Sequence, residues 1–157
     1  MNHVERVFSQ ADASRLSGIS PDILRDWRRR DLLGNLGERG EGDRWRYSFD
    51  EILRLAIVKA LEPNGQTIGV LLFMAFLLAD SVIDELRGSP YDGFSRANSA
   101  FWFNESGNLM KPISLKSLDD LSAVPAPSPQ FILVNSARLA SVMPEGIKLL
   151  VGTGEAA

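Results

Sequence analysis

SGISPDILRDWRRR, residues 17–30, ends one helix and begins another. Gly18 supplies the glycine that closes a preceding helix over about 10–17, for which Ser9 is the N-cap. Ser20-Pro21 then reads as an N-cap followed by proline in the first turn, and Asp22 sits at the positive end of the new helix dipole. The second helix runs from Pro21 to about Arg30. Its apolar residues Ile23, Leu24 and Trp27 form one stripe, against which Leu16 and Ile19 pack. Arg25, Arg28 and Arg29 fall on the other side. Two short helices joined by a tight glycine turn present the second helix outward. The major groove of a duplex is wide enough to admit such a helix.

Downstream, GNLGERGEGD (34–43) reads as a loop. Arg44-Trp45-Arg46-Tyr47 follows as a strand, with Arg44 and Arg46 on one face and Trp45 and Tyr47 on the other. Ser48-Phe49-Asp50-Glu51 is a capping box that opens a third helix, ended by Pro63-Asn64-Gly65. A fourth helix over about 66–87 is apolar from Ile68 to Ala79 apart from Gly69, then amphipathic through DSVIDELR. The uncharged stretch from Pro63 to Ala79 is 17 residues long and begins with polar and turn-forming residues. That is short of the ~18–20 apolar residues of a membrane span, so burial in a protein core or an oligomer is expected.

Residues 89–157 change character. Ala100 to Phe103, a turn through Glu105–Asn108, and Leu109 to Ile113 read as a hairpin, with Pro112 marking an edge strand. Leu115–Leu121 reads as a short helix, PAPSP (125–129) as a break, Phe131–Val134 as a strand, Ser136–Val142 as a short helix, and Gly146–Val151 as a terminal strand before a frayed tail. Phe94, Phe101, Trp102, Phe103 and Phe131 are expected to form the core of this part rather than line a pocket.

The net charge of −3 hides an asymmetry. Residues 1–63 carry 11 bases, ten of them Arg, against 11 acids, so the N-terminal part is neutral and the remainder accounts for the whole charge. A neutral module meets DNA only where its Arg residues cluster on one face. With no cysteine in the chain, disulfides, thiolate metal sites and cysteine nucleophiles are excluded. There is no ligand-spaced His/carboxylate cluster, phosphate loop or nucleophile elbow, so no enzyme, metal or cofactor is expected. The first residues have no apolar h-region, so no secretory signal is expected, and His3 is assigned no role.

FSQADASRLSGISPDILRDWRRRDLLG together with RWRYSFDEILRLAIVKAL resembles the DNA-binding module of the MerR family of bacterial regulators, over residues 8–61. Gly18, Ser20, Pro21, Asp22, Leu24, Arg25, Leu32, Leu33, Arg46, Tyr47 and Ser48 stand in the family's order. Two departures matter. Asp26-Trp27 replaces the Tyr-Tyr that often follows Leu-Arg, and Trp45 interrupts the basic pair before Tyr47. An acid at 26 repels a nearby phosphate, which leaves open a module used for protein contacts.

The expected fold is α+β: a mainly α winged helix-turn-helix (1–64), a linking, dimerising or core helix (65–88), and a small α+β domain (89–157). The expected DNA-binding residues are Arg15, Ser20, Asp22, Arg25, Arg28, Arg29, Arg44, Arg46 and Tyr47, with Tyr47 also read as a packing residue and Trp27 as core. The resemblance implies a cytoplasmic, nucleoid-associated transcription regulator that binds double-stranded DNA as a homodimer on an inverted repeat. By analogy with the family the C-terminal part would sense a small-molecule effector, which is possible but has no support in the residues themselves. An architectural, excisionase-like DNA binder and a protein–protein adaptor are the alternatives.

Overall fold

The computed structural model describes residues 7–88, 98–123 and 131–153. His3, Phe94, the 125–129 break and the tail beyond Thr153 lie outside the described residues. The fold is mixed α and β and divides into two compact units.

In the first unit, helix α1 (Gln10–Ser17) starts where expected. The Ser9 Oγ accepts the Asp12 amide at 3.2 Å, and an Asp12 carboxylate oxygen accepts the Ser9 amide at 3.0 Å. Gly18, at φ 75°, closes the helix by donating its N–H to the Ser14 carbonyl. Helix α2 (Pro21–Arg29) is capped by the Ser20 hydroxyl, which accepts the Ile23 amide. Leu16, Ile19, Leu24 and Trp27 are buried as expected, whereas Ile23 is 36% exposed and leaves the expected stripe. Two of the three apolar positions of α2 suffice to seat a helix of this length.

Hydrogen bonds from Ser9 hold the Asp12 carboxyl below its ordinary range, with the charge of Arg15 adding to the effect. A depressed carboxylate pKa stabilises the fold above its unfolded value of about 3.8, and that contribution disappears as pH falls through the folded value. Asp12→Ala is therefore expected to lower the unfolding free energy by about 0.5–1 kcal/mol at pH 7 and by much less at pH 2, measured by urea titration at both pH values. The lower figure reflects solvent screening, because the Asp12 side chain is 39% exposed.

The wing contains more strand than the sequence announced. Strands β1 (Phe8–Ser9), β2 (Glu38–Arg39) and β3 (Trp45–Tyr47) form an antiparallel sheet in the order β1-β3-β2. Tyr47 opposes Phe8, and Arg46 lies between Ser9 and Glu38. Two-residue strands are too short to show alternation, so β1 and β2 were not expected. Helix α3 (Phe49–Leu61) is the core element, with Ile52, Leu53, Leu55, Ala56, Ile57 and Val58 all buried. Its capping box reaches further than its own turn. Glu51, itself buried, accepts the Ser48 amide at 2.8 Å and the Gly37 amide at 3.0 Å, fastening the base of the wing to the start of the helix.

Helix α4 (Ile68–Leu86) follows, and the boundary between the units falls inside it, after Ala79. Among the described residues, no helix is long and apolar enough to cross a membrane.

The expected terminal strand at Gly146–Val151 is instead part of a helix (Glu145–Gly152), here called α6. Ile147 and Val151, four residues apart, are its buried positions, which is helical spacing. Gly146 lets it approach α1: a Cβ there would stand 2.6 Å from the Leu16 Cδ2. Residues 143–153 accordingly belong to the first compact unit, whereas the sequence reading grouped them with the C-terminal part.

The second unit carries an antiparallel sheet in the order β5-β4-β6, built from β4 (Asn98–Trp102), β5 (Ile113–Ser114) and β6 (Phe131–Asn135). The strand after Pro112 lies at an edge, as that residue requires. A short 3-10 turn at Leu118–Ala123 stands near the helix expected at 115–121, and α5 (Ser136–Ser141) follows β6 as expected. Phe101 is fully buried in the central strand, while Phe131 is 44% exposed.

Candidate nucleic-acid interface

Helix α2 has one buried edge and one open face. Arg25 and Arg29, at i and i+4, share that open face with side chains 67% and 79% exposed. Each is held by an acid one turn earlier: Arg25 pairs with Asp22, and Arg29 with Asp26 at 2.6 Å. Arg30, not among the expected contact residues, joins Asp26 at 3.4 Å. Arg15 pairs in the same way with Asp12, while Asp31 turns the chain out of α2 at φ 54°. Exposed pairs of this kind are worth about 0.2–1 kcal/mol, so a phosphate or base edge displaces them at little cost. Ser20 is exposed and engaged as the α2 cap, and Asp22 is open to solvent beside Arg25.

Two expected contact residues are turned inward. Arg28 does not project with Arg25 and Arg29. Its guanidinium lies over the Trp45 ring, 3.7 Å from the centroid, and donates to the Leu36 carbonyl and to the Tyr47 hydroxyl at 3.3 Å. Tyr47 is 1% exposed and presents no surface to a ligand. The reason is the returning wing, which places a carbonyl, a phenol and an aromatic face where the helix would otherwise meet water. Arg28 thereby secures the wing beside α2. Arg39 also lies over the Trp45 ring, at 5.5 Å, and pairs with Asp43. Trp45 is thus occupied by guanidinium groups from α2 and β2.

On the wing, Arg44 is exposed and Arg46 half-buried, and neither has an ion pair among the described residues. They edge a groove of about 510 Å³ that also meets Gln10 and Ala11 at the start of α1 and Asp43 near the tip. The sequence reading missed Arg30 and Arg39. Arg39 lies in a strand too short to recognise, and Arg30 shows its position only through the bond to Asp26.

Asp26 is the main obstacle to an anion here. Its hydrogen bond from Arg29, reinforced by Arg30, holds its carboxyl below the ordinary range, so it is ionised at neutral pH. Asp26→Asn is expected to raise affinity for duplex DNA about threefold to tenfold and to steepen its salt dependence, read by fluorescence anisotropy across a salt series.

A family model described as MerR HTH family regulatory protein matches residues 8–71. A search of curated proteins finds no match. The matched segment takes in both helices of the turn, the wing, all of α3 and the start of α4. Capped helices, glycine turn and wing agree with that match: residues 8–71 are similar to the helix-turn-helix part of the MerR regulatory family.

Proposed function

We propose that this chain regulates transcription as a homodimer, placing the α2 helix of each copy in the major groove of one half of an inverted repeat. The observation that carries the reading is the pair Arg25 and Arg29, open on one face of α2 beside a wing that Arg28 holds in place. Arg25 and Arg29 reach base edges or phosphates, and Arg44 and Arg46 grip the neighbouring backbone. Arg15 is a further backbone contact. In a two-fold dimer the half-sites stand about one helical turn apart, ~34–36 Å, or a multiple of it. Such a protein works in the bacterial cytoplasm, on the nucleoid. The proposal includes no catalytic step and no cofactor.

The dimer reading rests on α4. Gly69, Phe73 and Phe76 follow one another at i, i+4 and i+7 on an exposed stripe, with Phe73 43% and Phe76 55% exposed. Aromatic side chains at helical spacing on an open face suit self-association across a two-fold axis. Phe73→Ser with Phe76→Ser is expected to shift the protein to a monomer at micromolar concentration in sedimentation velocity. It is also expected to weaken specific DNA binding at least tenfold, because one half-site then binds alone.

A second reading, a protein–protein adaptor, is favoured by the acids that neutralise Arg25, Arg29 and Arg30. Selection of genomic fragments on the purified chain, with sequencing of what is retained, separates the two. An enriched palindrome supports the regulator, broad weak retention supports an architectural binder, and no retention at ~50–100 mM salt supports the adaptor.

A further inference from the structure

The second unit contains a pocket of about 470 Å³, bounded by its sheet, the segment after β5 and helix α5. That volume is in the range that holds small ligands, about 300–1,000 Å³. Its walls divide by chemistry. Leu115 and Val134, 4% and 6% exposed, and Leu133, 49% exposed, supply an apolar side. The polar side is the amide pair Asn98 and Asn135, in which the Asn135 Nδ2 donates to the Asn98 Oδ1 at 2.8 Å. Lys116 and Arg138 stand at the rim, both exposed.

Arg138 has no ion pair among the described residues. Its backbone N–H donates to the Asn135 Oδ1, fixing where the side chain leaves α5. The opposing charge is Asp120, which feels Lys116. One carboxylate oxygen of Asp120 is engaged by the amides of Lys116, at 2.6 Å, and Ser117, at 2.9 Å, so it orders the segment that carries Lys116. The pocket lining holds these two cations and no carboxylate, so its mouth carries positive charge in excess.

We propose that this pocket binds a small organic acid, its carboxylate held between Lys116 and Arg138 and its apolar body against Leu115, Leu133 and Val134. The guanidinium fork of Arg138 matches a carboxylate in two hydrogen bonds, and the ammonium of Lys116 adds a point charge. The apolar walls reject an acid that has no body to bury, and the cations reject an uncharged body of the same length.

The test uses the full chain labelled with 15N and three probes: octanoate, octanol and acetate. Octanoate is expected to shift the amide signals of Ser117, Asn135 and Arg138 to saturation, with octanol and acetate each at least about tenfold weaker. Lys116→Ala with Arg138→Ala, both at exposed positions, is expected to bring octanoate down to the level of octanol while leaving the spectrum of residues 8–71 unchanged. Octanol binding as tightly as octanoate, octanoate affinity unchanged in the double variant, or no shift at these signals would each overturn the proposal. None of these outcomes depends on whether the protein binds DNA.

Discussion

Replacing Arg25 and Arg29 together by Ala is expected to lower affinity for the selected duplex about a hundredfold while leaving the fold intact. Each guanidinium placed on a base edge or phosphate is worth about 1–3 kcal/mol, so losing both neighbours costs at least one such contact and at most the sum of two. Stability should change little. Both side chains are mostly exposed, their ion pairs are of the weak surface kind, and Ala is the best helix former. The contrast with Arg28→Ala is informative. That variant removes the stack on Trp45 and the bonds to Leu36 and Tyr47, so its effect falls on the wing before it falls on DNA. Affinity should be read by anisotropy and stability by thermal unfolding on the same samples, which separates a lost contact from a lost fold.

Gly37→Val is expected to be the most damaging single substitution in the wing, costing about 3 kcal/mol or more. Gly37 sits at φ +74°, where a side chain costs about 1–2 kcal/mol and a β-branched one is an outlier. A Cβ there would stand 2.9 Å from the Tyr47 ring and 3.2 Å from both the Arg28 guanidinium and the Arg46 carbonyl. Relieving that clash adds a further ~1–3 kcal/mol of overpacking, because the Tyr47 ring is buried and has little room to retreat. The Gly37 amide also donates to Glu51, so a displaced turn leaves a buried carboxylate with one partner fewer. For a unit of this size the melting temperature should fall by roughly 12–24 °C, measured by calorimetry. DNA affinity should fall too, since Arg28, Tyr47 and Trp45 keep the wing beside α2.

The helix starts were legible because their signals are local. Ser9, Ser20 and Ser48 each bind an amide three residues on, and Gly18 closes α1 within one turn. What was hidden depends on distant partners. Nothing in the spacing of Arg25, Arg28 and Arg29 reveals that one of the three meets Leu36, Trp45 and Tyr47. Strands β1 and β2 exist only as neighbours of β3 and carry no pattern of their own. IKLLV reads as a strand in isolation, yet Gly146 against Leu16, far apart in sequence, makes the segment a helix on α1. In the second unit the hairpin and the edge position of β5 were readable from Pro112. The pairing of Lys116 with Arg138 around one pocket was not, because it forms only when β4 and β6 align.

A salt titration of binding to a mixed pool of duplex fragments, followed by fluorescence anisotropy from ~50 to 300 mM, asks most simply whether these guanidinium groups meet DNA. Four arginines of each copy on phosphates or groove edges should contribute, per copy bound, a slope of log affinity against log salt near ~−3 to −4, falling by about two per copy in the Arg25→Ala, Arg29→Ala protein. No association at the lowest salt, or a slope that the double variant leaves untouched, would contradict a DNA-binding role for this face of α2.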